Sequence, residues 1–226
     1  AHRQMKRTLP LLLLVLGCSE ILVPSRTPRY LSDLAGEVFR WPSDRLPVRY
    51  FADTRGTMRD LVGTSLQVWE QQFLYGEFKG TLVSDSTAAD VIVIWEDSIP
   101  PDVPPDTAGA LGACDGVTQY VVDSTAAMSA SDSTGAQAGG EPPLTMTAPI
   151  RVYLRVRLGF TEAQVAACMG RVAAHELGHT LGILTHSPAT TDLMFGTPPT
   201  KTPTNRDRNT AQVLYHTTPT IAPPPR

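Results

Sequence analysis

The sequence has little histidine, little cysteine and no excess of basic residues. It contains five histidines and three cysteines in 226 residues, and its net charge is −3. A deficit of basic charge argues against a nucleic-acid-binding protein, because such proteins cluster lysine and arginine on one face. The apolar run between residues 9 and 16 is too short to span a membrane as a helix. The length is sufficient for one domain of ordinary size with appendages.

The amino-terminal residues have the composition of an export signal. Three basic residues precede the apolar run, which ends in Val-Leu-Gly-Cys at Cys18. This ending resembles the lipobox of bacterial lipoproteins, in which the cysteine is acylated and becomes the mature amino terminus. We therefore expect residues 1–17 to be a lipoprotein signal peptide and the chain to reach the bacterial cell envelope, at the outer membrane or cell surface. Membrane contact would be through the lipid anchor only; an ordinary secretory signal with an incidental cysteine is the alternative.

Export leaves two cysteines for an oxidising compartment. A single disulfide between Cys114 and Cys168 is the economical interpretation. Buried free thiols are the alternative, because the sequence does not show whether the two Cβ atoms approach each other.

Hydrophobic patterns after residue 40 predict alternating strands and helices. Strands are expected at 47–52, 78–83, 90–95, 108–114, 117–122 and 150–156, and helices at 57–73, from Thr161 through the later histidines, and at 205–215. The continuous Val-Ile-Val-Ile run in 90–95 is typical of a parallel strand buried on both faces. Segment 124–149 is expected to be a flexible surface excursion. These patterns divide the chain into a tether at 18–40, a folded domain at 41–216 and a proline-rich tail at 217–226.

Three of the five histidines lie in one twelve-residue stretch, HELGHTLGILTH, from His175 to His186. Because a helix turns by about 100° per residue, His175 and His179 share one face and can offer two imidazoles to one ion. Glu176 lies on the neighbouring face, where a general base can reach a metal-bound water. Gly182 can adopt a positive φ and turn the chain so that His186 returns as a third ligand. Three protein ligands and one water are typical of catalytic zinc.

The same stretch, followed eight residues after its last histidine by Met194, resembles the metzincin metallopeptidases, and among them the matrixin-like secreted proteases. The resemblance extends from about Trp41 to Tyr215. It implies an α+β fold of the zincin type, with a twisted, mostly parallel sheet of about five strands and an antiparallel edge strand. An active-site helix and a carboxyl-terminal helix after a methionine turn complete the family's fold. Met194 would form an apolar floor beneath the metal.

The pattern departs from that of the family at the third ligand. Three residues separate Gly182 from His186, where the family has two, so Asp192 is a second candidate ligand. Gly196 stands two residues after Met194, where the astacin-like branch has a tyrosine. The second, structural zinc of animal matrixins cannot be assembled in the usual way from the two remaining histidines. Bound Ca²⁺ is compatible with the sequence, although no pattern indicates it.

The resemblance implies a monomeric zinc-dependent endopeptidase with one catalytic Zn²⁺ and a protein or peptide substrate. Glu176 would take a proton from the metal-activated water and pass it to the leaving amine. The substrate would lie extended along the edge strand and form main-chain hydrogen bonds with it. The strand residues expected there are Ala110, Leu111, Gly112 and Ala113.

Two other functions stay open at the level of the sequence. A surface lipoprotein could keep the zinc fold as a catalytically silent binding module, although such a site has no chemical use for Glu176. A purely structural zinc protein would need a fourth side-chain ligand. Cys114 is the candidate for that ligand.

Overall fold

The computed structural model describes residues 27–33, 36–96, 113–123, 144–156, 159 and 161–223. Over these ranges the fold is α+β and contains a five-stranded, mostly parallel sheet, which confirms the predicted class. The elements in chain order are β1 (Val48–Ala52), α1 (Met58–Glu70), β2 (Gly80–Val83), β3 (Val91–Trp95), β4 (Cys114–Gln119), β5 (Val122–Asp123), β6 (Leu144–Met146), β7 (Ile150–Val156), α2 (Glu162–Thr180), α3 (Asn205–Tyr215) and β8 (Ile221–Ala222).

The main sheet has the strand order β2-β1-β3-β7-β4. The first four strands in this order run parallel, and β4 pairs antiparallel with β7 at the edge. An antiparallel edge strand is therefore confirmed, but it is Cys114–Gln119 and not the expected 108–114, and the strand expected at 117–122 is divided between β4 and β5. The apolar run in β3 lies at the centre of the sheet, where Val91 and Val93 are fully buried.

Helix α2 begins at a well-defined cap. The Thr161 hydroxyl accepts a hydrogen bond from the backbone nitrogen of Gln164, and the Gln164 side chain accepts one from the backbone nitrogen of Thr161. This reciprocal capping box satisfies two amide groups that the first helical turn leaves without partners.

Buried hydrogen bonds fix the far half of α2 against the core. The indole of Trp69 on α1 donates to the Ala174 carbonyl at 2.8 Å, and that of Trp41 donates to the Thr180 carbonyl at 2.8 Å. The Tyr50 hydroxyl on β1 lies 2.8 Å from Thr180 Oγ1. Because a buried polar group without a partner is costly, these contacts specify one position for the helix.

A disulfide joins Cys114 to Cys168, whose Cα atoms lie 5.9 Å apart. It connects the start of β4 to the first half of α2. The sulfur of Cys114 is therefore unavailable as the fourth metal ligand that a structural zinc site would need.

A second, three-stranded sheet with the order β5-β6-β8 was not predicted. Strand β6 lies within the expected surface excursion at 124–149, and that expectation is wrong for Leu144–Met146. Strand β8 lies in the expected tail, and Phe39, which forms a β-bridge with Ile221 of that strand, lies in the expected tether. The side chains of Phe39 and Ile221 are nevertheless buried. Strands of two or three residues carry too little alternation to be found in a sequence.

Several expectations fall outside the described ranges. The signal peptide at 1–17, Cys18 and the proposed substrate-strand residues 110–112 all do so. Within the ranges that are described, no helix is long and apolar enough to cross a membrane.

Candidate metal centre

Helix α2 and the loop after it bring three histidines together. The possible ligand atoms of His175, His179 and His186 all lie within 4.8 Å of one another, so the three side chains could hold a metal ion. The ring centroid of His186 is 5.1 Å from that of His175 and 5.2 Å from that of His179. The first two rings are buried, whereas His186 is exposed.

Two backbone carbonyls determine which ring nitrogens face the centre of the group. Nδ1 of His175 donates to the Leu193 carbonyl at 2.8 Å, and Nδ1 of His179 donates to the Ile183 carbonyl at 2.6 Å. Because a carbonyl can only accept, each Nδ1 carries a proton. A neutral ring then has its lone pair on Nε2, which is the arrangement that backbone carbonyl acceptors impose on metal-binding histidines.

The electrostatic environment keeps both rings neutral. Burial, together with the neighbouring histidines, holds the pKa of His175 well below its ordinary value. Burial and His186 lower the pKa of His179 to about 4. The two Nε2 atoms lie 3.1 Å apart, so their lone pairs repel unless a cation lies between them. This donor set therefore fits a metal ion.

Gly182 turns the chain out of α2 toward His186. Its φ is +113°, a conformation that residues with a Cβ rarely adopt. A Cβ at this position would also collide with the backbone carbonyl of Phe39. Glycine is required here both by the turn and by the close approach of another chain segment.

The loop that carries His186 is held on both sides. The backbone nitrogen of Leu184 donates to the Ser32 carbonyl at 2.9 Å, and the Thr185 hydroxyl donates to the Leu31 carbonyl. On the other side, the backbone nitrogen of Ser187 donates to the Met194 carbonyl at 2.7 Å. Leu184 and Thr185, which make the first two contacts, are two of the three residues that separate Gly182 from His186.

Asp192, the alternative third ligand, is committed elsewhere. Its carboxylate is fully buried and accepts hydrogen bonds from the side chains of Ser187, Thr204 and Arg206. Among the described residues, the side chains that could together bind a metal ion at this site are the three histidines, and Asp192 is not one of them.

Met194 packs against α2 at Gly178, next to His179. Its side chain is fully buried, and its sulfur occupies space that a Cβ on Gly178 would enter. Gly178 immediately precedes His179 on α2. The absence of a side chain there allows the methionine to approach the helix backbone closely.

Asp207, which the sequence reasoning missed, fixes the turn that contains Met194. Its buried carboxylate accepts hydrogen bonds from the backbone nitrogens of Leu193 at 2.9 Å and Met194 at 3.3 Å. It also caps α3 together with Thr204 and accepts a hydrogen bond from the Tyr30 hydroxyl at 2.7 Å. The Thr-x-x-Asp capping pattern was visible in the sequence, but its second role at the turn was not.

Glu176 faces the same cleft from α2. The Thr118 hydroxyl on β4 donates to Glu176 Oε2 at 2.6 Å. Burial raises the pKa of Glu176 to about 8, although the hydrogen bond from Thr118 acts in the opposite direction. A carboxyl group with such a pKa can take up and release a proton near neutral pH, as a general acid–base must.

The cleft encloses about 220 Å³ between β4 and α2. The three histidines and Glu176 line one side, and β4 lines the other. Within the described part of the chain β4 pairs only with β7 and has no partner on its outer edge. Ala113, the one described residue of the four expected along a substrate, is buried immediately before this strand.

Comparison with models of known protein families found none that matches this chain, and a search of curated proteins found no similar sequence.

Proposed function

We propose that this protein is a zinc-dependent endopeptidase of the metzincin type, similar to the matrixins. The observation that carries the proposal is the pair of neutral, buried histidines whose Nε2 atoms lie 3.1 Å apart, beside an acid–base carboxyl group. Such a combination serves metal-assisted hydrolysis and has no evident purpose in a packed core.

Zinc is the ion that this donor set suits best. His175, His179 and His186 would hold it, and three imidazoles without a thiolate leave one position open for water or substrate, as in catalytic zinc sites. When bound, zinc supplies Lewis-acid activation of water and of the scissile carbonyl. Calcium, an oxygen-seeking ion, does not fit three nitrogen ligands.

Glu176 performs the proton transfers. It accepts a proton from the attacking water and delivers that proton to the nitrogen of the leaving amine. Its buried position keeps the carboxyl group away from bulk water, and a raised pKa makes the carboxylate a stronger base toward the proton of the attacking water.

The substrate is a peptide in an extended conformation. Among the described residues β4 pairs on one side only, and an extended peptide can add to the other edge as a further strand next to the cleft. Recognition through the main chain selects peptides as a class and leaves side-chain preference to the cleft walls.

The test is casein cleavage by the purified, zinc-loaded chain and its Glu176→Gln variant. The variant keeps the size of the side chain but cannot accept a proton, so activity should fall by about 100-fold or more while zinc content is unchanged. Glu162→Gln, an exposed position on the same helix, is the matched control and should retain activity. Equal activity of wild type and Glu176→Gln would exclude this mechanism.

We also propose that the enzyme is exported and anchored through acylated Cys18. Expression in a Gram-negative host with labelled palmitate should label the wild-type chain, and Cys18→Ala should abolish this labelling. An unlabelled wild-type chain would contradict the anchor and leave the proposed peptidase activity unaffected.

A further inference from the structure

Two residues of strand β4, Gly116 and Thr118, lie against the Glu176 side chain. Alternate residues of a strand point to the same face, and here Cys114, Gly116 and Thr118 face α2. The disulfide ties the first of them to the helix, and the other two lie against the Glu176 side chain. The register of β4 is held by antiparallel pairing with β7 along its whole length.

The Thr118 hydroxyl is hydrogen-bonded to Oε2 of Glu176 and also lies 3.3 Å from the Glu176 backbone carbonyl oxygen. The hydroxyl donates to Oε2 at 2.6 Å, a short distance typical of hydrogen bonds to carboxyl groups. A threonine in a strand has a restricted χ1 angle, so its hydroxyl is a pre-oriented donor.

Gly116 leaves the space in which the other oxygen lies. A Cβ at this position would be 2.7 Å from Glu176 Oε1 and 2.7 Å from its Cγ. It would also lie 2.7 Å from Val172 Cγ1, and real side chains do not tolerate such distances, so a larger residue would force the Glu176 and Val172 side chains to move.

We propose that Thr118 and Gly116 are positioning residues that decide which oxygen of Glu176 takes part in catalysis. Thr118 holds Oε2, and Gly116 keeps the place of Oε1 open. In hydrolysis the water oxygen bonds to the carbonyl carbon, one water proton moves to Oε1, and the proton passes to nitrogen as the C–N bond breaks. This inference rests on the proposed peptidase function.

The physical reason is the orientation of the base. A carboxyl group that rotates freely presents either oxygen at varying angles, whereas a fixed one removes that rotational freedom before the reaction. Such support for a reacting group from its neighbours is what precise active sites require. The Thr118 hydroxyl itself transfers no proton to the substrate.

The kinetic test compares Thr118→Val with Thr118→Ser in the zinc-loaded chain. Valine keeps the shape but has no donor, so kcat should fall by about 10- to 100-fold, part of the contribution of a general base, with KM within about twofold of wild type. Serine restores the donor and should recover most of kcat. Thr81→Val makes the same change on β2, at the opposite edge of the sheet, and should not alter kcat.

Infrared spectroscopy provides a readout that does not depend on activity. The difference spectrum between a variant and the same variant with Glu176→Gln isolates the Glu176 carboxyl band, with or without added zinc. The band should move to higher wavenumber in Thr118→Val and stay near the wild-type position in Thr118→Ser. An unmoved band, or an active Thr118→Val with wild-type kcat, would overturn the positioning role. A moved band in a chain that cleaves no peptide would instead refute the proposed function.

Gly116→Ala tests the second half of the proposal. Its Cβ displaces the Glu176 side chain, so kcat should fall while zinc content is retained. Gly170→Ala on α2 places a Cβ where nothing lies within 4 Å and is the matched control. Wild-type kcat in Gly116→Ala would exclude a role for this glycine in orienting the base.

Discussion

Asp207 accepts a hydrogen bond from the backbone nitrogen of Leu193 at 2.9 Å, and Leu193 in turn accepts one from Nδ1 of His175 through its carbonyl. A carboxylate on α3 is thereby connected through a single residue to one of the candidate metal ligands. The same carboxylate also holds the backbone nitrogen of Met194. Helix α3 therefore supports both the orientation of a histidine and the turn that contains Met194.

This connection predicts the behaviour of Asp207→Asn. The Asn amide has an NH2 group in place of one carboxylate oxygen, and this group cannot accept the hydrogen bonds that the oxygen accepted. The free energy of unfolding should therefore fall by about 2–4 kcal/mol. Zinc affinity should fall by about 10- to 100-fold, as it does when support for a ligand is lost. Urea denaturation and competition with a chromophoric chelator measure the two effects. Asp60→Asn, exposed on α1, is the control, and equal behaviour of the two variants would refute the connection.

Tyr30 extends the same network into the predicted tether. Its hydroxyl donates to Asp207 at 2.7 Å, so Tyr30→Phe removes one hydrogen bond to a buried carboxylate and little else. We expect the free energy of unfolding to fall by about 1–3 kcal/mol. Tyr153→Phe on β7 makes the same chemical change away from Asp207 and is the control. Unchanged stability of Tyr30→Phe in urea denaturation would mean that the Tyr30–Asp207 hydrogen bond does not support the domain.

Substitution of Gly182 by alanine should destabilise the fold for two separable reasons. Gly182→Ala suffers both the strain of a positive φ and a collision with the Phe39 carbonyl, whereas Gly36→Ala has a φ of +91° with open space around its Cβ. The strain alone costs about 1–2 kcal/mol, so Gly182→Ala should be clearly more destabilised than Gly36→Ala in thermal unfolding. Similar losses in both variants would show that the Phe39 contact is unimportant.

His186 predicts a change in metal binding without a change in the fold. The side chain is exposed, so His186→Ala should alter the free energy of unfolding of the metal-free chain by less than about 1 kcal/mol. Zinc affinity should nevertheless fall by at least about 100-fold, because one of three ligands is lost. His216→Ala, outside the cluster, should bind zinc normally. Wild-type affinity in His186→Ala would remove this residue from the ligand set.

Much of the fold follows from local patterns. The alternation at 150–156 and the periodicity at 205–215 predict the same bounds as Ile150–Val156 and Asn205–Tyr215. The short strands of the second sheet were missed because their pairing is between distant segments and their sequences carry no repeat. Residues in the predicted tether and tail were misjudged for the same reason.

The candidate site was predictable where its geometry is local. Helical periodicity alone places His175 and His179 on one face, and their spacing needs no tertiary information. Thr118 lies 58 positions from Glu176 along the chain, and the sequence gives no signal that the two meet. Predicting that contact would have required the register of β4 against α2, which the disulfide and the neighbouring strand determine together.

If a histidine-bound zinc ion enables this chain to hydrolyse peptides, removal and return of the metal should switch the activity off and on. Casein cleavage by a single preparation should be followed before chelation, after removal of metal with 1,10-phenanthroline and after addition of one equivalent of zinc. We expect cleavage to disappear on chelation and to return with zinc, with one zinc per chain by elemental analysis. Cleavage that persists in the metal-free chain, or a zinc-loaded chain that cleaves nothing, would contradict the account.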